Sequence, residues 1–227
     1  MAVQYSFGKI VTDGLVLALD TADRNSYVSG STTWFDVSGN NNSGSLVNGP
    51  TFNTGSGGNI VFDGVDDYIN FGNVLNIGLS DWTVSAWINS TIAHFGRVVA
   101  KNNSSADGWF IGVENNEKFV IGINGTYGFS STYNYSTAGW VHLVGVWNRT
   151  GFATLYANSV FLGNIVNISS QSSTNLQTSF NLRISSRDSG GGFFNGNISN
   201  VQVYNRALTA DEVLQNYNAQ KSRFGLT

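Results

Sequence analysis

Phe193-Phe-Asn-Gly-Asn-Ile-Ser-Asn-Val-Gln-Val-Tyr-Asn-Arg-Ala-Leu-Thr-Ala-Asp-Glu-Val-Leu-Gln-Asn-Tyr217 is the stretch whose reading decides the fold. Ile198–Tyr204 alternates apolar and polar residues as a strand does, and a short helix over Ala210–Tyr217 follows at once. Thr209 and Glu212 stand at capping-box spacing, where each side chain satisfies a backbone N–H of the first turn. Leu208 before the cap and Val213 after it fit a hydrophobic staple, which sets the angle at which the chain enters the helix. A helix this short does not stand alone in water. It must dock on the sheet, through Val213, Leu214 and Tyr217.

Working back from that stretch, short apolar runs recur between Gly, Asn, Asp and Ser clusters, the pattern of an all-β chain. The expected strands are Leu15–Leu19, Asn59–Phe62, Tyr68–Phe71, Trp82–Asn89, Gly96–Lys101, Gly108–Val113, Lys118–Ile123, Trp140–Asn148, Ala153–Ala157, Leu182–Ser185 and Ile198–Tyr204. In Trp82–Asn89, the residues Trp82, Val84, Ala86 and Ile88 share one face, and Thr83, Ser85, Trp87 and Asn89 the other. Trp140–Asn148 carries large apolar groups on both faces, which predicts a central strand covered on both sides. The 227 residues fit one β-domain over 13–219, with an N-terminal arm over 1–12 and a C-terminal tail over 220–227. The two ends, Met1–Gly8 and Lys221–Thr227, are candidate docking arms.

Six blocks, in order along nearly the whole chain, resemble those of laminin-G-like domains in the concanavalin A-like lectin/glucanase superfamily. Gly14-Leu-Val-Leu-Ala-Leu-Asp20 is similar to the opening strand. Trp34-Phe-Asp-Val-Ser-Gly-Asn-Asn-Asn-Ser-Gly-Ser-Leu46 is similar to a turn-rich element, and Phe62-Asp-Gly-Val-Asp-Asp-Tyr-Ile69 to the next strand pair. Trp82-Thr-Val-Ser-Ala-Trp-Ile88 resembles the central strand. Gly139-Trp-Val-His-Leu-Val-Gly-Val146 with Leu155-Tyr-Ala-Asn158 resembles a later hairpin, and the strand and helix quoted first resemble the closing signature. Ser159 stands where the family has glycine, so that turn is expected to differ. The resemblance implies a two-sheet antiparallel jelly-roll sandwich with one short C-terminal helix. It leaves function open, because this fold carries lectins, enzymes, adhesion modules and viral coat components.

Composition removes several classes. There is no cysteine, so neither a disulfide framework nor a Cys-based zinc site exists. Net charge is −3, which leaves no basic patch for phosphates and argues against a nucleic-acid partner. No apolar run approaches the ~20 residues of a membrane span. The N-terminus lacks the basic-then-apolar layout of a signal peptide. A glucanase of this fold needs two carboxylates at alternate strand positions. Glu114, Glu117 and Glu212 are the only glutamates, the first two at the wrong spacing and the third in the helix cap. His142 lies inside a strand and reads as a structural histidine, and His94 falls in a loop. The expectation is a protein that is not an enzyme.

Two groups of side chains invite a ligand. Asp63, Asp66 and Asp67, with Asp20 and Asp36 in neighbouring blocks, offer the hard oxygens that Ca2+ prefers, and the resemblance implies calcium as the one cofactor. The same residues suit a hairpin turn at Asp63-Gly64 with Asp66-Asp67 capping the next strand. Tyr127, Phe129, Tyr133 and Tyr135 lie in a Gly/Ser/Thr/Asn-rich stretch, with Trp34 and Trp109 near turns. They serve a glycan contact, a protein interface or ordinary packing under loops. Arg187-Asp-Ser-Gly-Gly-Gly192 reads as a mobile rim loop that brings Arg187 to the same contact surface.

Two functions remain. The first is a virion structural protein, most simply a phage capsid decoration or cement protein or a fibre component. It would be made in the host cytoplasm, would form a homo-oligomer, and would have capsid or tail proteins as partners. The second is a carbohydrate-binding or adhesion module for cell-surface glycans.

Overall fold

Alternation along the strands sets which side chains are buried, and the pairing register sets which strands share a face. The computed structural model describes residues 9–104 and 107–227, so Met1–Gly8 of the expected arm lies outside the described residues. In chain order the first strands are β1 (Leu15–Asp20), β2 (Thr33–Trp34), β3 (Gly44–Val47), β4 (Thr51–Asn53), β5 (Asn59–Asp63) and β6 (Tyr68–Asn70). Then come β7 (Trp82–Asn89), β8 (Gly96–Lys101), β9 (Trp109–Glu114), β10 (Lys118–Ile123) and β11 (Thr126–Phe129). The last are β12 (Val141–Trp147), β13 (Phe152–Ala157), β14 (Val160–Asn167), β15 (Arg183–Ile184) and β16 (Asn195–Tyr204), followed by the helix α1 (Ala210–Gln220).

They form two antiparallel sheets. The first runs β14-β13-β12-β7-β16-β5-β4, with β1 paired to the C-terminal half of β16. The second runs β11-β10-β9-β8-β15-β6-β3-β2. The inward faces meet in one core in which Trp82, Val84, Ala86 and Ile88 of β7 lie with Trp109, Ile111 and Val113 of β9. Trp82 and Trp147 are register partners, with ring centroids 4.6 Å apart and planes 13° from parallel. Trp109 reaches across from the other sheet to within 6.0 Å of Trp82 and 5.9 Å of Trp147. This tryptophan cluster ties the two sheets together.

β12 is central and buried on both faces, as its sequence predicts. Val141, Leu143 and Trp147 enter the main core, while Val144 and Val146 join a second cluster with Tyr156, Tyr204, Leu208 and Val213. The capping box forms: Thr209 Oγ1 accepts from the Glu212 N–H at 3.3 Å, and Glu212 Oε2 accepts from the Thr209 N–H at 2.9 Å. Leu208 and Val213 of the staple share the second cluster. Leu214, expected to dock, is instead exposed, and the buried residue of that turn is Asn216. Its side chain accepts from the Val11 N–H at 2.8 Å and donates to the Tyr204 hydroxyl at 3.0 Å.

Two further points bear on the sequence expectation. The segment 220–227 is no free tail: α1 runs to Gln220, and a 3-10 turn over Lys221–Phe224 folds back onto the sheet. Phe224 stacks on Trp87 at 4.0 Å, and Arg223 donates to the carbonyls of Ser56 and Gly58 and pairs with Asp20. At the β13–β14 turn, Asn158 and Ser159 both have positive φ (50° and 65°), the two-residue I′ geometry. Ser159 therefore holds the left-handed conformation that a glycine adopts most easily.

Candidate functional site

The two outer sheet faces differ in what lies over them. That of the first sheet is covered: Trp87 and His142 lie under Tyr217 and Phe224, and Val144, Val146 and Tyr204 lie under Leu208 and Val213. That of the second sheet is open where β8, β9, β10 and β11 run side by side. Pairing puts Val120 opposite Phe129 and Gly122 opposite Tyr127, so Val120, Tyr127 and Phe129 line one face. A side chain at Gly122 would lie 2.5 Å from the Phe110 ring, and its absence lets Phe110 lie flat on β10.

On this face a depression of about 250 Å3 is lined by Phe95, Arg97, Phe110, Glu114, Val120, Tyr127, Phe129 and Arg187. Tyr127 and Phe129 are 47% and 45% exposed and meet edge to face at 5.8 Å. Arg97, on β8, is only 4% exposed. Its guanidinium lies between the Phe95 ring at 4.5 Å and the Phe110 ring at 3.9 Å. Glu114 is 3.6 Å from Arg97 Nη1, an ion pair without a hydrogen bond. Burial, with the second cation Arg187 nearby, brings the Arg97 pKa down to about 10 against the pull of Glu114. Burial raises the Glu114 pKa, with Arg97 opposing.

Of the residues singled out in the sequence, Tyr127, Phe129 and Arg187 come together here. Trp34 and Trp109 are fully buried, because strand alternation turns them into the core. Tyr135 is buried too: its hydroxyl accepts from the His94 N–H at 2.9 Å and donates toward the Glu114 carbonyl at 2.8 Å. Tyr133 packs on Phe119 at 5.0 Å and takes a bond from Asn158. Trp34, Trp109 and Tyr135 are thus enclosed by packing, and Tyr133 is half-buried. The Arg187–Gly192 loop brings Arg187 to the edge of the depression and carries backbone bonds of its own. Its Arg187 and Asp188 N–H groups reach the Gly191 and Asn102 carbonyls at 3.1 and 2.9 Å, and Gly192 O accepts from the Arg97 N–H at 2.7 Å. Sequence reading missed Phe95, Arg97, Phe110 and Glu114. The available signal was Arg97, a lone mid-strand charge in Gly-Arg-Val-Val-Ala-Lys.

The carboxylates of Asp63, Asp66 and Asp67 converge, with one oxygen of each within 4.8 Å of the others. Asp63 Oδ1 accepts from the Val65 N–H at 2.8 Å, and Asp67 Oδ2 from the Asp63 N–H at 3.1 Å, which are hairpin-turn bonds. Hard carboxylate oxygens at this spacing are the kind of donor set that could hold a cation such as Ca2+. Burial raises the Asp67 pKa, its bond from the Asp63 N–H opposes that rise, and the charges of Asp63 and Asp66 add to it. Asp20 and Asp36 do not join them: Asp20 pairs with Arg223, and Asp36 accepts from the Ala18, Ser38 and Asn42 N–H groups.

His142 is structural in its surroundings. It lies fully buried, 2.7 Å from Ser85 Oγ and stacked on Trp87 at 5.0 Å. Burial brings its pKa down to about 3. The unfolded imidazole takes up its proton near 6.5 and the native one only near 3, so native stability falls as pH drops through that window. The expected slope is about 1 kcal/mol per pH unit. Urea unfolding at two pH values inside the window, on the wild type and His142→Gln, should show the variant less pH-sensitive. Equal sensitivity would assign the acid loss to other groups.

A two-sheet jelly-roll sandwich, covered by a helix outside one sheet and open over aromatic residues outside the other, is a lectin-like fold. The chain belongs to the laminin-G-like family Laminin_G_3 of the concanavalin A-like lectin/glucanases superfamily, whose model matches residues 63–214. No curated protein sequence matches it. Among solved structures it is similar to the binding domain of Paraclostridial Mosquitocidal Protein 1, with 20% identity and a TM-score of 0.70, covering 92% of this chain and 52% of that one. Domain 4 of AbnA, a GH43 extracellular arabinanase from Geobacillus stearothermophilus solved with arabinotriose, matches at 16% identity and TM-score 0.67, over 89% of this chain and 98% of the domain. Trypanosoma rangeli sialidase with the inhibitor DANA matches at 13% identity and TM-score 0.71, covering 98% of this chain and 36% of the enzyme. The chain thus spans about half of the toxin binding domain and about a third of the sialidase. At these identities the likeness is one of fold.

Proposed function

We propose that the protein is a carbohydrate-binding module that uses the open outer face of the second sheet. The observation that carries this reading is the exposed Tyr127–Phe129 pair beside the depression, since sugars dock their C–H faces on aromatic rings flanked by fixed polar groups. Fold neighbours that include toxin binding domains and an arabinotriose-bound arabinanase domain support it. They lend weight to glycan recognition rather than to a virion component. The face binds without catalysis in this reading. Among the described residues Glu114 is the one acid lining the depression, whereas glycoside hydrolysis uses two carboxyl groups about 5–9.5 Å apart.

Calorimetric titration of an oligosaccharide panel tests the proposal. The wild type should bind at least one glycan, and the Tyr127→Ala/Phe129→Ala double variant should lose about tenfold or more in affinity. Both residues are half-exposed, so the variant should keep its melting temperature. The same titration with calcium and with a chelator reads whether a cation at Asp63, Asp66 and Asp67 contributes. Unchanged affinity in the double variant would move the site elsewhere.

A further inference from the structure

The depression is cationic in a chain whose net charge is −3. Two guanidinium groups, Arg97 and Arg187, line it against one carboxylate, Glu114. Arg97 Nε and Nη1 and Arg187 Nε have no hydrogen-bond partner among the described residues, although all three atoms are buried. An unmet buried N–H is costly, and more so on a charged group. The rings of Phe95 and Phe110 cover the faces of the Arg97 guanidinium, so a partner must approach in its plane. In-plane approach is how a carboxylate engages arginine, through two parallel bonds. The neighbouring acid Asp188 is already engaged by Arg183 at 3.0 Å and by Asn181, so it does not neutralise Arg187. Three successive glycines, Gly190 to Gly192, wrap the loop around Arg187. A side chain at Gly192 would lie 3.3 Å from Arg97 Cγ and 3.7 Å from Arg187 Nε.

We propose that this depression selects a carboxylate-bearing saccharide, an acidic sugar residue whose acid group meets Arg97 and Arg187 while its ring lies against Tyr127. The proposal rests on the glycan-binding reading and narrows it to acidic sugars. The test compares oligogalacturonate fragments, alginate fragments and a sialyl oligosaccharide, each with its own methyl ester at equal length and low salt, together with neutral oligosaccharides and dextran sulfate. On at least one backbone the acid should bind about tenfold more tightly than its ester, the worth of one charge-assisted contact. Arg187→Gln, at a half-buried rim position, should shrink that ratio to about threefold or less without shifting the melting temperature. Arg97→Lys, which keeps the charge but loses the planar fork, should lower the ratio too. Equal affinity for acid and ester, with loss in the Tyr127→Ala/Phe129→Ala variant, would overturn the acidic-sugar assignment and leave glycan binding standing. Tighter binding of dextran sulfate than of any of the acids would overturn the carboxylate. No binding to any saccharide would overturn both readings.

Discussion

Trp147→Ala is expected to lower the unfolding free energy by about 3–5 kcal/mol, the range for truncating a fully buried tryptophan. Trp147 is fully buried, stacks on Trp82 within its own sheet and meets Trp109 of the facing sheet edge-on. Its indole N–H donates to the Gly122 carbonyl at 3.3 Å, a second link between sheets. Gly145 lies beneath the ring, where a side chain would sit 3.2 Å from it, so neighbouring backbone is already in contact and cannot close a cavity far. Chemical denaturation with unchanged m-value is the check. Trp147→Phe keeps part of the stack and should cost about half as much. A loss under about 1 kcal/mol for Trp147→Ala would mean that the tryptophan cluster is not what joins the sheets.

Removing residues 221–227 should destabilise the protein by about 3 kcal/mol, the burial of one aromatic side chain plus a partly buried polar network. Phe224 covers Trp87, whose indole N–H donates to Gln220 at 2.8 Å. Arg223 satisfies the Ser56 and Gly58 carbonyls, and Asp20 would lose its ion partner. Acrylamide quenching gives an independent readout, because Trp87, fully buried in the intact chain, would meet solvent. Phe224→Ala alone should reproduce most of the quenching and part of the destabilisation. A deletion variant as stable as the full chain would make these residues a passive tail.

Legibility in the sequence followed the strength of the local signal. β7, β9, β10 and β16 have strong period-two patterns and were found to within a residue or three. β2, β3, β4, β11 and β14 are not among the strands that the pattern predicts, because they are short or half-exposed and their alternation is weak. β11 matters most. Its Thr-Tyr-Gly-Phe looks like any polar loop, yet pairing with β10 is what lays Tyr127 and Phe129 on one face. The same pairing logic hid Trp34, Trp109 and Tyr135, whose aromatic character says nothing about which side of a sheet they occupy.

The sequence by itself determined the all-β class, the two-sided burial of β12 and the capped C-terminal helix, because these rest on contacts between residues close in the chain. Only the tertiary structure decided that α1 and the turn after it close one sheet face and leave the other open. It alone brought Arg97, Glu114, Tyr127 and Arg187, spread over 91 residues, around one depression. The physical reason is that a strand's own pattern states which side chains share a face. Which faces meet, and which remain exposed, depends on pairing between strands far apart in the chain.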